Sequence, residues 1–171
     1  VTFFLTPGAP AAGALVTERG AAQGTETLAD NFSFTGSMLA QAEYTNHRLL
    51  YLTPVLTETA HISGVATVKI RAASDKPAVN LSVWLVALPW TTSRDPRITD
   101  NIITRGWADL QNHRSLTESE LLVPGQFYEM SFELEPDDQI IPAGKQIGLL
   151  IFSSDKEFTL HPMPGTELTV D

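Results

Sequence analysis

The sequence has 171 residues, of which 43% are apolar and 18% charged, proportions typical of one globular domain with a real core. Its net charge of −9 disfavours nucleic acid and anionic membrane as partners, because phosphate groups repel an acidic surface. It contains no cysteine, which excludes disulfides, thiolate nucleophiles and cysteine-bound metals, and no apolar run reaches the roughly 18 residues needed to span a bilayer.

The first residues predict a short strand followed by a hairpin return. Val1 to Thr6 is an apolar strand that ends at Pro7-Gly8, and Leu15-Val16 interrupts a loop rich in alanine and glycine. The sequence begins inside this strand, with neither an initiator methionine nor the pattern of a signal peptide. We therefore expect the chain to be a piece of a longer protein.

The segment from Thr25 to Thr45 is weakly patterned and predicts a long excursion over a surface. Its apolar anchors are Phe32, Phe34 and Met38. Long connections in compact domains are often functional or held against a neighbour. We expect part of this segment to contact another domain; the alternative is that its phenylalanines fill the core of this domain.

Seven further strand patterns follow, with a polar loop between Trp90 and Asp100 and two short strands between Glu157 and Val170. The seven strands are His47–Thr53, Val55–His61, Val65–Arg71, Val79–Leu88, Ile102–Leu110, Phe127–Glu135 and Lys145–Ser153. Phe127 to Glu135 alternates strictly between apolar and polar residues, the period of a strand with one buried face. Val79 to Leu88 is apolar on both faces, as in a central strand, and Gly106 predicts a bulge.

These patterns give eight to ten strands and no convincing amphipathic helix. Short strands with frequent turn signals predict an all-β fold, an antiparallel β-sandwich or jelly roll. The side chains expected between its two sheets are Val83, Leu85, Phe132, Leu134, Leu149 and Ile151.

The sequence carries no motif for nucleophilic or metal chemistry. A hydrolase elbow needs G-x-S-x-G, and the nearest stretches, Thr35–Met38 and Ile62–Gly64, lack the flanking glycines. A triad without that motif stays open, because four histidines and many serines are present. The histidines are too widely spaced for a metal motif, and Asp137-Asp138 is either an acidic turn or a contributor to a Ca²⁺ site. We expect no catalytic, metal-binding or cofactor-binding residue.

Five residues are candidates for contacts with another domain or with a cleft. Trp90 and Trp107 lie at strand ends or beside a glycine, where each either lines a groove or fills an edge of the sandwich. Asn112, His113 and Arg114 follow a strand, and arginine can bind a carboxylate in a bidentate contact. The alternative for this group is an ion pair that orders its own loop.

Several segments, in this order and spacing, are similar to one known family. They are Leu50–Pro54, His61–Gly64, Asn80–Leu85, Arg105–Asp109, Asn112–Ser115, Ile141–Lys145 and Ser153–Asp155. Residues from about 47 to 171 thus resemble the C-terminal β domain of the Xaa-Pro dipeptidyl-peptidase and cocaine-esterase family of serine hydrolases.

The resemblance implies a non-catalytic, galactose-binding-like jelly roll that packs on an α/β-hydrolase domain and helps to wall its active-site cleft. In these enzymes the catalytic Ser, Asp and His lie upstream, and none has a matching position here. The most similar branch is the Xaa-Pro dipeptidyl-peptidases, which release an N-terminal dipeptide after a penultimate proline. The expected partner is therefore the upstream hydrolase domain of the same polypeptide, with peptide substrate reached only indirectly.

The resemblance also implies how the chain divides. Residues 1–46 would be a strand and a long loop that join from the hydrolase domain, and residues 47–171 the jelly roll, together forming one globular domain. Three alternatives stay open: a carbohydrate-binding module that uses Trp90 or Trp107, the same domain from an esterase or acylase, and a complete small hydrolase, which the missing elbow disfavours.

Overall fold

The computed structural model describes residues 1–20, 24–91 and 101–171. This part of the chain forms twelve strands and one short α-helix. The strands are β1 (Phe4–Thr6), β2 (Ala12–Val16), β3 (Glu26–Ala29), β4 (Leu49–Leu52), β5 (Ala60–Gly64), β6 (Thr67–Ser74), β7 (Asn80–Leu88), β8 (Ile102–Asp109), β9 (Phe127–Glu133), β10 (Asp137–Ile141), β11 (Gln146–Phe152) and β12 (Glu167–Val170), and the helix is α1 (Gly36–Gln41).

The strands form three sheets. A six-stranded sheet has the order β1-β2-β4-β11-β7-β8, a four-stranded sheet has the order β3-β12-β6-β9, and β5 pairs with β10 in a small two-stranded sheet. All pairs are antiparallel except β2 with β4. The predicted all-β antiparallel fold is confirmed, while its assignment to the jelly-roll type stays a prediction.

The main core lies between the two larger sheets. Apolar side chains of β4, β7 and β11 meet those of β6, β9 and β12. The predicted core residues all belong to it: Val83, Leu134 and Ile151 are buried, and Leu85, Phe132 and Leu149 are partly buried. The alternation in β9 therefore gave the correct buried face.

A second core covers the outer face of the six-stranded sheet. Because side chains alternate along a strand, Trp84 and Val86 of β7 point away from the main core, where they pack with Leu39 and Ala40 of α1. The predicted burial of both faces of β7 is confirmed. Burial of this outer face requires the excursion between β3 and β4 to fold back over it.

This excursion is more ordered than its sequence indicates. β3 pairs with β12, and Thr35 caps α1 by accepting a hydrogen bond from the N–H of Met38 at 3.3 Å. Gly36 is needed because a Cβ there would lie 2.4 Å from the Trp84 ring. The segment predicted as a weakly patterned excursion thus contains one short helix, which packing on Trp84 rather than amphipathic periodicity favours.

Other boundaries also differ from the predictions. Asp137 and Asp138 lie in β10 rather than in a turn, because β10 pairs with β5. Gly106 pairs regularly with Val83, and the register shift of β7 and β8 falls between Leu85 and Val86 instead. Between 157 and 170 the structure has one strand, not two.

The loop predicted for 90–100 lies outside the described residues from position 92 onward. Residues 1–46 contribute strands to both large sheets, and their role in joining an upstream domain stays a prediction.

Candidate interaction surface

The candidate site lies on the outer face of β8, the edge strand of the six-stranded sheet. Arg105 and Trp107 are two residues apart and therefore point to the same side. Arg105 stands opposite Trp84 of β7 in the register. We call the cluster formed by these three residues with Asp155 and Phe158 the aromatic platform.

Asp155 fixes the two tryptophans of the platform. Its side chain is buried just beyond β11, and its Oδ2 atom accepts a hydrogen bond from Nε1 of Trp84 at 3.0 Å and from Nε1 of Trp107 at 2.9 Å. Both indole N–H groups thereby have an acceptor, as a donor removed from water requires. A single carboxylate oxygen thus holds both rings in place.

A tight turn after Asp155 completes the platform. The Asp155 carbonyl accepts from the backbone N–H of Phe158 at 3.0 Å and of Thr159 at 2.9 Å. This turn stacks the Phe158 ring on Trp107, with centroids 5.2 Å apart and planes inclined by 24°. Phe158 nevertheless remains 49% exposed.

Arg105 lies among the rings. Its guanidinium carbon is 4.2 Å from the Phe158 centroid, 5.5 Å from that of Trp107 and 5.6 Å from that of Trp84. Contacts of this kind are favourable because the face of an aromatic ring is electronegative. The nearest carboxylate is that of Glu135, with 4.0 Å between Nε and Oε2, and among the described residues no hydrogen bond to the guanidinium is present.

Exposed apolar side chains lie in or against the segment that follows Phe158. Leu160 is 89% exposed, and the Asn80 amide donates a hydrogen bond to its carbonyl, which holds it beside the start of β7. Phe32 stacks on His161 with ring centroids 4.8 Å apart and is also exposed, as is Met163. A patch of this kind on a folded domain usually marks a contact surface.

The predicted group at Asn112, His113 and Arg114 makes contacts within its own loop and with β9. Asn112 follows β8 and donates to the Ser115 carbonyl at 3.0 Å, while His113 packs on the Tyr128 ring at 4.6 Å. Arg114, whose side chain is 73% exposed, is 3.3 Å from Glu120. The loop-ordering alternative accounts for these contacts, and contact with another domain stays a prediction.

Trp90 lies at the opposite end of the same strands. It lies two residues beyond the end of β7, whereas Asn112 lies three residues beyond the end of β8, and the two strands are antiparallel. Eight residue steps along β7 correspond to about 26 Å. Trp90 packs against the second core, beside Leu88. The five candidate residues therefore do not form one site.

A second unpredicted feature is the buried cation of Arg48, directly before β4. Its side chain is 1% exposed and donates to the carbonyls of Leu39 at 3.3 Å, Ala11 at 2.8 Å and Ala42 at 2.7 Å, with a fourth contact to Pro10 at 3.4 Å. Burial lowers the pKa of Arg48, but an arginine stays charged at neutral pH. Arg48 thus ties α1 and the residues before β2 to β4.

The described residues hold no cluster of three or more potential metal ligands. His61 and Asp138 form an exposed pair across β5 and β10. No helix in residues 1–20, 24–91 and 101–171 is long and apolar enough to cross a membrane.

Sequence reasoning missed Arg105, Asp155 and Phe158, although two of the segments that carried the family resemblance contain Arg105 and Asp155.

The fold and the exposed surface define a β-sandwich domain. Comparison with known families identifies it further: residues 1–171 match the family described as the X-Pro dipeptidyl-peptidase C-terminal non-catalytic domain, and the chain belongs to this family. The predicted resemblance and the prediction that this chain is not the catalytic part are both confirmed.

Individual relatives agree. A Rhodopirellula baltica protein named as a putative Xaa-Pro dipeptidyl-peptidase is 60% identical over 171 residues, covering 100% of this chain and 27% of that protein. One from Bacillus cereus is 36% identical over 124 residues, covering 72% and 20%. A solved α-amino acid ester hydrolase shares the fold, with a TM-score of 0.71, 14% identity, and coverage of 98% of this chain and 33% of that one. The chain spans about a quarter of the length of these relatives.

Proposed function

We propose that this domain is part of an Xaa-Pro dipeptidyl-peptidase, where it packs on an upstream α/β-hydrolase domain and shapes access to its active-site cleft. The observation that carries this proposal is the 60% identity with the Rhodopirellula relative over all 171 residues. Identity at that level, without a gap in coverage, favours the same role in a similar longer protein.

The surface of the domain supports a packing role. Inter-domain contacts within one chain typically bury about 600–1,500 Å² and contain apolar centres. Exposed Phe158 and Leu160 provide such a centre here. The predicted contacts of Trp90, Trp107 and the loop at 112–114 belong to this proposal, and their separation implies that more than one part of the surface is used.

The geometry does not favour the carbohydrate-binding alternative. A sugar ring needs an open aromatic face beside polar groups. The Trp107 ring is stacked on Phe158, lies beside Arg105, and has its N–H bound to Asp155. Trp90 is half-buried against the second core.

The test compares the 171-residue chain with the full-length protein. We expect the chain alone to give no turnover of an Ala-Pro chromogenic amide, and the full-length protein to release the dipeptide and to be silenced by a serine-directed phosphonate. Phosphonate-sensitive turnover by the isolated chain would contradict the non-catalytic role.

The same assay addresses an esterase or acylase parent. The shared fold with an α-amino acid ester hydrolase keeps this second candidate open, because a fold does not determine chemistry. Turnover of aryl esters by the full-length protein, without turnover of Xaa-Pro amides, would favour the esterase and reject the peptidase.

A further inference from the structure

Arg105 is a cation without a close counter-charge on a strongly acidic chain. Its loose pairing with Glu135, at 4.0 Å, lies at the limit of an ion pair, and the Glu135 side chain is itself 60% exposed. The guanidinium has five N–H donors, and none of them has a hydrogen-bond acceptor among the described residues. A carboxylate that reached this position would therefore find unoccupied donors.

The platform holds Arg105 ready for such a contact. The three surrounding rings restrict the side chain, and Asp155 restricts two of those rings. A guanidinium stacked on aromatic rings keeps its planar fork of donors, which matches a carboxylate. Since the side chain is already ordered, binding loses less conformational entropy than it would for a free surface arginine.

The arrangement differs from that of another stacked arginine in the same domain. Arg71 lies over the Phe127 ring at 4.4 Å, and its guanidinium is bound to the carboxylate of Asp171. Stacking and carboxylate binding thus occur together at Arg71, whereas Arg105 has the stacking without the carboxylate. Beyond the loose contact with Glu135, Arg105 therefore has donors free for a further carboxylate.

We propose that Arg105 is the receptor for an Asp or Glu carboxylate on the catalytic part of the longer polypeptide, whose neighbouring apolar side chains cover Phe158 and Leu160. This deepens the proposed function and rests on it for the existence of that catalytic part. In the Rhodopirellula relative about 460 residues lie outside the match, enough for a domain roughly 50 Å across. Such a domain is wider than the approximately 24 Å that separates β1 from β8 across the six-stranded sheet.

The first experiment uses zero-length carbodiimide cross-linking in the full-length protein. The variant Arg105→Lys places an amine among the same rings, and mass spectrometry then identifies the carboxylate to which it is joined. We expect an amide link to an acidic residue N-terminal to Val1. The matched control is Arg71→Lys, which should link to Asp171 and so prove that the chemistry works at a stacked site.

Two results of the cross-linking would overturn the proposal. One is a link from position 105 to Glu135 alone, which would make the internal pair the real partner. The other is no link from position 105 while the control forms its link to Asp171. A link to an upstream carboxylate in a protein without Xaa-Pro activity would support the docking proposal and reject the peptidase assignment.

The second experiment keeps Arg105 intact and measures whether the patch is covered. Leu160→Cys introduces a thiol beside the platform, and Ser63→Cys introduces an exposed reference thiol on β5 at the other end of the sandwich. In the full-length protein we expect maleimide labelling at position 160 to be at least tenfold slower than at position 63. Adding Arg105→Gln should raise labelling at 160 several-fold, whereas adding Arg71→Gln should not.

The labelling results separate the two proposals. Equal labelling at positions 160 and 63 in a protein that still cleaves Xaa-Pro substrates would overturn the docking site and leave the proposed function standing. Protection at position 160 that Arg105→Gln does not relieve would overturn the carboxylate contact, because apolar packing alone would then cover the patch.

Discussion

Replacing Arg48 with methionine should destabilise the domain strongly, because the guanidinium joins three parts of the chain. The substitution keeps an apolar stem of similar length and removes the donors that serve four backbone carbonyls. The hydrogen bond to the Leu39 carbonyl is buried, whereas the other three are partly buried. After the substitution, water can therefore hydrogen-bond to the other three carbonyls but not to that of Leu39. An unsatisfied buried acceptor costs about 1–3 kcal/mol and a lost partly exposed bond about 0.5–1 kcal/mol.

These contributions give a loss of about 2.5–6 kcal/mol, from which about 1 kcal/mol is subtracted because a desolvated charge is removed. With a urea m-value near 2 kcal/mol/M, the midpoint of unfolding should fall by about 1–2.5 M. Tryptophan fluorescence would report the transition. Exposed Arg114→Met is the control, expected within about 0.5 kcal/mol of the parent chain. An Arg48→Met midpoint that matches the Arg114→Met midpoint would refute the reasoning, since the carbonyl contacts would then add no net stability.

Two further predictions concern packing and ionisation. Gly36→Ala should lower stability by about 1–3 kcal/mol in calorimetry, because the new Cβ would press on the buried Trp84 ring; an unchanged Tm would show that α1 can shift freely. Burial, followed by the hydrogen bond and negative charge of Glu26, raises the pKa of Tyr51 above its ordinary value. The unfolded chain therefore loses this proton first, so the stability that Tyr51 provides is complete below about pH 10 and is lost as the pH rises further. The stability difference between the parent chain and Tyr51→Phe should shrink above pH 10, and a difference that is constant to pH 11 would contradict this.

The sequence predicted best those strands in which each face has its own environment. Alternation in β9 and two-sided burial in β7 follow from side-chain period and local composition, and the structure has both. It predicted worst the segments whose structure depends on a distant partner. β3 and β10 are short, polar in part, and exist because β12 and β5 pair with them.

The platform could not be predicted for the same reason. Nothing local distinguishes Asp155 from any other aspartate after a strand; its role comes from β11 lying beside β7, which brings its carboxylate to two indole groups. Arg48 offered a weak signal, a charge directly before an apolar strand. That position predicts a buried charge at Arg48, but it does not predict which four carbonyls accept its hydrogen bonds.

The location of the platform bears on what the family resemblance reflects. Three of the seven segments that carried it meet there: the β7 segment supplies Trp84, the β8 segment supplies Arg105 and Trp107, and the end of β11 supplies Asp155. None of these side chains is arranged as a nucleophile with a base. The Asp155 carboxylate accepts hydrogen bonds from two indole N–H groups, and the Arg105 guanidinium lies against three aromatic rings. Residues that lack a catalytic arrangement, yet build an ordered and incompletely satisfied cation at a surface, are better explained by recognition than by chemistry. We therefore expect the platform to serve docking as well as the fold of this domain, and the cross-link from position 105 tests that expectation.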